Sequence, residues 1–303
     1  MTTINIDHTS RWFGNVVAVN DVTMTIAPGV TGLLGPNGAG KSTLINMMAG
    51  FLAPSTGSVT LDGQPIWKNE QIYKEIGLVP EREAMYDFLT GREFVVANAE
   101  LQGLGKKSAQ EALATVEMEY AQDRKISTYS KGMRQRVKMA SALVHNPSVL
   151  LLDEPFNGMD PRQRMHLMDL LRRMGSEGRT VLFSSHILEE VEQLASHIEV
   201  IVAGRHAASG DFRRIRRLMT DRPHRYLIRS SDDRALAAAL IADPSTAGIE
   251  VDLAEGALRI QAVDFGRFTQ LLPKVAREHH IRLLTVSPSD ESLESVFSYL
   301  VAA

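Results

Sequence analysis

Eight consecutive residues constrain this chain more than any others. Gly35-Pro36-Asn37-Gly38-Ala39-Gly40-Lys41-Ser42 fits the spacing G-x-x-x-x-G-K-[ST] of a phosphate-binding loop. Val30–Leu34 before it reads as a buried strand, and Thr43–Ala49 after it as a helix with Gly50 past its end. The residue types follow from the geometry. Phosphate oxygens must approach backbone N–H groups closely, and glycine leaves that space free of side chains. The following helix adds its positive N-terminal end. Lys41 supplies a mobile positive charge to β- and γ-phosphates, and the Ser42 hydroxyl suits Mg²⁺. With glycine near 7% of residues, chance produces such a match in roughly 1% of chains this long, so a second element is needed.

Val149-Leu150-Leu151-Leu152-Asp153-Glu154 supplies it. An apolar run ending in two carboxylates places them at the C-terminal edge of a buried parallel strand, where α/β sheets bind ligands. Asp153 would hold Mg²⁺ through water, and Glu154 would orient and polarise an attacking water as general base. Alone, the pair reads equally well as two acids capping a strand. Beside a phosphate loop the catalytic reading is the stronger.

The rest of the first 210 residues alternates strand and helix. Val16–Val19, Val22–Ile26 and Ser58–Leu61 read as strands, and from Ile72 to about Thr128 the composition is helical. Thr90-x-x-Glu93 and Ser108-x-x-Glu111 have the spacing of capping boxes that open helices. Then come a strand at Ser148–Leu152, a helix at Arg162–Met174, a strand at Thr180–Ser184 and a helix at Leu188–Ala195. This rhythm implies a mostly parallel sheet covered by helices. The expected organisation is a first domain at 1–211, with a helical part near 82–146, a linker at 212–224 and a second domain at 225–303. The second domain predicts strand (Arg225–Arg229), helix (Asp232–Ala242), strands (Ile249–Leu253, Ala257–Gln261), helix (Phe265–His279), strand (Ile281–Val286) and a last helix from Asp290 to about Val301. That β-α-β-β-α-β order suggests a small α+β ferredoxin-like domain.

A length of 303 residues suits two domains, and 44% apolar with 23% charged residues suits a folded globular chain. The formal charge of −3 argues against a generally basic nucleic-acid binder. With no cysteine, disulfides and zinc–thiolate sites are excluded. The opening Met-Thr-Thr-Ile-Asn-Ile-Asp lacks the regions of a secretion signal, and nowhere do 18 apolar residues run together; a cytoplasmic location is expected. Arg213, Arg214, Arg216 and Arg217 have two readings, a solvated helix face or contact with anionic lipid head groups. His279-His280 do not face one centre, being adjacent at a helix end.

At this point the chain resembles the ATP-binding subunits of ABC transporters over roughly residues 3–210. Ser130-Lys131-Gly132-Met133, at the start of a helix, is similar to the family's signature motif, which in one subunit closes over the phosphate loop of a second. Ser130 can cap that helix and leave its N-terminus facing a γ-phosphate; Met133, Val137, Ala140 and Val144 form the stripe that anchors it. Against the commonest wording, Leu-Ser-Gly-Gly-Gln, the chain has Tyr129, Lys131 and Met133, while Ser130 and Gly132 remain. Tyr-Ser-Lys-Gly-Met looks like the variant of bacterial ABC-2-type export systems.

Gly158-Met159-Asp160-Pro161 resembles the loop through which paired subunits sense each other, and His186 the histidine near the γ-phosphate and the catalytic water. Phe13 matches the aromatic that stacks on adenine, a role the adjacent Trp12 could also take. Where the family usually has glutamine, after Leu78-Val79-Pro80, this chain has Glu81: either an anionic Mg²⁺ ligand or turned away, with coupling to the membrane partner through Arg82–Phe88.

The resemblance implies the P-loop NTPase ABC cassette fold, with a mostly parallel α/β core, an N-terminal antiparallel β subdomain and a helical subdomain. It implies that two copies, or one copy and a paralogous ATPase, sandwich ATP and Mg²⁺. Nucleotide would be gripped by Gly35, Pro36, Asn37, Gly38, Ala39, Gly40, Lys41, Ser42 and Thr43, with Ser130, Gly132 and Asp160 contributing across the pair. The partner would be a transmembrane ABC-2-type permease, with the chain peripheral on the inner face of the cell membrane. Export is favoured by the Tyr-Ser-Lys-Gly-Met wording, by Pro80-Glu81 and by the ending Ser292-Leu293-Glu294-Ser295-Val296-Phe297. The alternatives are an importer ATPase with a regulatory tail, or a non-transport ABC protein on ribosome or DNA. The second domain carries no catalytic constellation and is expected to regulate or to contact a second copy.

Overall fold

The computed structural model describes residues 2–82, 85–211, 223–252 and 256–288. They form two compact units that meet in sequence at Gly210 and Asp211.

The first unit opens with an antiparallel sheet. β1 (Ile4–Phe13) pairs with β2 (Val16–Ile26) on one side and β4 (Thr56–Leu61) on the other, and β5 (Gln64–Pro65) adds a short edge. β2 is one strand rather than the two expected from sequence. The chain bulges at Asn20-Asp21, where Asp21 takes a φ of 52° and its N–H bonds to Ser10 Oγ at 2.9 Å. β1 has no counterpart among the expected strands, because Asp7, His8, Ser10 and Arg11 dilute its apolar signal.

The second sheet holds β3 (Gly29–Leu34), β6 (Ile76–Val79), β7 (Val149–Leu152), β8 (Thr180–Ser185), β9 (His197–Val202) and β10 (Arg205–Gly210). Its order is β10-β9-β3-β8-β7-β6, parallel except for β10. All of β7 and β8 is buried, as central parallel strands require. α1 (Lys41–Met48) joins both sheets in one core: its Leu44, Ile45, Met47 and Met48 share a cluster with Ile4, Ile6 and Met24 and with Leu33, Leu151 and Leu182.

Two expectations fail between β5 and β7. Residues from Ile72 are not continuously helical: α2 (Glu70–Tyr73) is one turn, and β6 follows as the edge of the parallel sheet. Ile76 and Val79 are buried on pairing with β7, a gain that four residues cannot announce through periodicity. α3 (Gly91–Leu101) does start with the Thr90–Glu93 capping box. Ser108 caps nothing, since α4 (Lys106–Thr115) starts from an extended Gly105 and places Ser108 inside its first turn. α5 (Lys131–Leu143), α6 (Pro161–Ser176) and α7 (Leu188–Leu194) complete this unit.

The second unit contains β11 (His224–Ser230), α8 (Asp233–Leu240), β12 (Thr246–Asp252), β13 (Ala257–Ala262), α9 (Phe265–Glu278) and β14 (Leu283–Pro288). The sheet is antiparallel with order β12-β13-β11-β14. Tyr226, Ile228, Leu258 and Ile260 pack against Leu236, Leu240, Phe268 and Leu272, and Asp232 and Asp264 cap the two helices. The arginine cluster, the final helix from Asp290 and the Ser292–Phe297 ending lie outside the described residues.

Candidate nucleotide site

Three adjacent parallel strands deliver the site. β8 lies between β3 and β7, with Leu34 level with Ser185 and Leu152 with Phe183, so the residues that follow all three emerge at one edge. From β3 the chain enters the glycine loop. A Cβ at Gly35 would overlap the Ile201 carbonyl; one at Gly40, whose φ is 101°, would overlap the Ala18 carbonyl. Both positions therefore require glycine. Gly40 is also the N-cap of α1 and offers no side chain, so the first N–H groups of the helix face the loop.

Lys41 is buried. Its Nζ donates to Gly35 O at 2.8 Å and Pro36 O at 3.3 Å and lies 3.7 Å from Glu154 Oε1. A cavity of about 340 Å³ opens here, lined by residues 37–43 with Ala18, Glu81 and Glu154.

Asp153 and Glu154 follow β7 and are 5% and 8% exposed. Ser184 on β8 binds both: its Oγ donates to Asp153 Oδ1 at 2.6 Å and accepts the Glu154 N–H at 2.9 Å. Glu154 takes a φ of 49°, a conformation that a non-glycine residue holds only when its surroundings impose it. Its carboxylate is shared between Lys41 and His186, whose Nδ1 lies 2.9 Å from Oε2. The structure thus brings Lys41, Ser42, Glu81, Glu154 and His186 together around one cleft.

Glu81 lines this cavity and an adjoining one of about 180 Å³ beside Lys131, Lys138 and Gly158. Its backbone turn is held by Lys138 of α5, whose Nζ donates to Pro80 O at 2.8 Å and Glu81 O at 3.3 Å. Ser184 and Lys138 were not singled out from sequence. The available signals were a polar Ser184-Ser185 at the end of an apolar strand and a lysine on the apolar face of α5.

Ser130 caps α5 through its Oγ, which accepts from Met133 N at 3.2 Å. Met133, Val137, Ala140 and Val144 are buried, as the anchoring stripe predicts. A Cβ on Gly132 would overlap the Gln163 carboxamide. Asp160 caps α6, its Oδ1 accepting from Gln163 N at 2.9 Å. Ser130, Gly132, Asp160, Phe13 and Trp12 do not line the larger cavity. Phe13 and Trp12 are exposed near the end of β1, with the Arg11 guanidinium 4.7 Å above the Phe13 ring.

Ser42, Asp153 and Glu81 offer hard oxygen donors. Among the described residues no group of three or more His, Cys, Asp or Glu could hold a metal alone.

A glycine loop that opens a helix at the edge of a parallel sheet, beside a strand ending in acids, defines the P-loop nucleotide-binding proteins. Residues 19–157 match the ABC transporter family. The linearmycin resistance ATP-binding protein LnrL of Bacillus subtilis (strain 168) is 31% identical over 97% of this chain and 96% of its own length. The bacitracin transport ATP-binding protein BcrA of Bacillus licheniformis is 31% identical over 99% of this chain and 97% of its own. The daunorubicin/doxorubicin resistance ATP-binding protein DrrA of Streptomyces peucetius is 32% identical over 92% and 86%. A solved dimeric bacterial ABC transporter cassette superimposes with a TM-score of 0.64 at 25% identity, covering 69% of this chain and 98% of its own. The chain belongs to the ATP-binding subunits of ABC transporters, which are ATPases coupled to transport. Among its described residues no helix is long and apolar enough to cross a membrane.

Proposed function

We propose that two copies of this chain, or one copy and a paralogous ATPase, close over two ATP molecules and drive export through a separate ABC-2-type permease. The observation that carries the reading is the Glu154 carboxylate, set between Lys41 at 3.7 Å and His186 at 2.9 Å on the wall of the glycine-loop cavity. Residues 35–43 grip the phosphates, and Lys41 meets their charge from beneath the loop. Ser42 and, through water, Asp153 would hold Mg²⁺, which would supply charge neutralisation for the phosphates. Glu154 takes the proton of the attacking water, and His186 orients both. Glu81 acts as an additional anionic donor on the metal side. Phe13, or Trp12 beside it, stacks on adenine.

Ser130 and Gly132 cap the nucleotide of the other copy. Their position outside the chain's own cavity supports that division of labour, and so does the resemblance to a solved dimeric cassette. Asp160 faces the partner subunit across the same interface. Export is supported by relatives named for bacitracin transport and for resistance to linearmycin and to daunorubicin and doxorubicin. The cassette would occupy 1–211, peripheral on the inner face of the cell membrane, and no nucleic acid takes part. The antiparallel order β12-β13-β11-β14, with two helices between strands, supports a ferredoxin-like reading of the second unit, which we assign to regulation or dimer contact.

The test is Glu154→Gln, which should keep ATP binding, lose turnover by ~10²–10⁴-fold and accumulate an ATP-bound dimer on size-exclusion chromatography. Normal turnover by that variant would remove Glu154 as the base.

A further inference from the structure

We propose that Glu190 is a positioning residue for His186 and that, through Arg164, it ties that histidine to the Gly158–Asp160 loop of the same chain. The inference rests on the reading of His186 given above.

Glu190 sits in the first turn of α7 and is 4% exposed. The catalytic scheme does not use it. Packing does not require it either, because Val191 and Leu194 already bury the inner face of α7. Burial pushes its carboxyl above the usual carboxylate range, the Glu154 charge adds to that push, and the Ser185 hydroxyl and Arg164 oppose it. A group buried against such a cost is held for what it contacts.

Those contacts reach both sides. Oε2 accepts the Ser185 hydroxyl at 2.6 Å, and Ser185 Oγ accepts the Ile187 N–H at 3.0 Å. One carboxylate thereby pins the turn that has His186 at its centre. The histidine needs this support, since its side chain is 40% exposed. On the other side Glu190 Oε1 forms an ion pair with Arg164 Nε at 3.4 Å. Arg164 belongs to the first turn of α6, where its N–H bonds to Asp160 O at 3.0 Å. The path Asp160–Arg164–Glu190–Ser185–His186 is continuous and short, with Glu190 and Ser185 buried at its middle, Arg164 half-buried and Asp160 and His186 exposed at its ends. A shift of the 158–160 loop, the segment read as facing a second copy, changes the aim of His186 without touching the nucleotide.

The experiment is a double-mutant cycle on the full-length chain, reading ATP turnover, KM and nucleotide affinity for Glu190→Ala, Glu190→Gln, His186→Ala and Glu190→Ala/His186→Ala. If Glu190 acts through His186, Glu190→Ala lowers kcat by ~100-fold, the scale expected for a misplaced catalytic group. KM and nucleotide affinity should stay within about twofold. Glu190→Gln, whose amide oxygen still accepts from Ser185, keeps an intermediate rate, and the double variant is no slower than His186→Ala alone. Additive losses in the double variant, or a rise in KM that matches the loss in kcat, would overturn the proposal. If Glu190→Ala fails to fold, the same cycle with Glu190→Gln decides the case. Wild-type turnover by His186→Ala would instead sink the reading of His186 itself. A slow His186→Ala beside a fast Glu190→Ala sinks only the present inference.

Discussion

Ser184→Ala tests whether one buried hydroxyl holds both Asp153 and Glu154 in place. Ser184 is fully buried, donates to Asp153 Oδ1 at 2.6 Å and accepts from Glu154 N at 2.9 Å. Removing the hydroxyl deletes a charge-assisted hydrogen bond, worth ~1.5–3 kcal/mol, and leaves a buried N–H unpaired at a cost of ~1–3 kcal/mol. The two terms share one turn and relax together, so a net destabilisation of about 3 kcal/mol is expected. For a unit of this size that corresponds to a fall of ~6–12 °C in the melting temperature. Differential scanning calorimetry is the assay, because a chain of two units need not melt in one step and the second unit's transition serves as an internal control. The accepted N–H also helps hold Glu154 at its φ of 49°, so the Asp153–Glu154 turn should relax and ATP turnover should drop by ~10²-fold with neither carboxylate altered. A first-unit transition lowered by less than ~2 °C, with turnover unchanged, would refute the reasoning, since either hydrogen-bond term alone exceeds that.

Gly40→Ala should cost ~1–3 kcal/mol and weaken ATP binding, because the new Cβ must push against the Ala18 carbonyl at a φ of 101°. Unchanged affinity in a fluorescent-nucleotide titration would mean that the loop has room to yield. Glu81→Gln should raise the Mg²⁺ concentration needed for half-maximal turnover by about tenfold if Glu81 is a metal-side donor; an unaltered Mg²⁺ dependence would place that carboxylate away from the ion. His206 donates to the buried Glu199 at 2.5 Å, and that bond and charge hold its pKa above the usual 6.5, against the effect of burial. A group whose folded pKa is raised lends stability that is complete below 6.5 and vanishes as pH climbs through the folded value. The first-unit transition should therefore fall over that interval in the wild type and less so in His206→Gln; identical pH profiles would show that the pair contributes nothing.

Most of what acts at the site was legible because it is local. The Thr90–Glu93 box and the Ser130 cap each close over four residues, and the glycine loop shows itself in eight consecutive positions, so residue type and spacing carry them directly. The apolar run before Asp153 announced β7 for the same reason, since a strand buried on both faces needs no partner to be recognised. Failures gathered where a partner far along the chain decides. β1 is diluted by polar residues and exists through its pairing with β2 and β4, and β6 is too short to show a period and exists through β7.

The sequence by itself determined the glycine loop, the strand that ends in Asp153 and Glu154, and the Ser130 cap of α5. Only the tertiary structure decided that β8 lies between β3 and β7, and that order sets Ser184 under both acids and His186 against Glu154. It also decided that Lys138 of α5 holds the Glu81 turn, across 57 positions of chain, and that Arg164 meets Glu190 across α6 and α7. The reason is physical. Turns and caps close over a few covalent bonds and leave their mark in spacing, whereas contacts between distant segments form only after sheet order has been chosen by burial, which no single segment encodes.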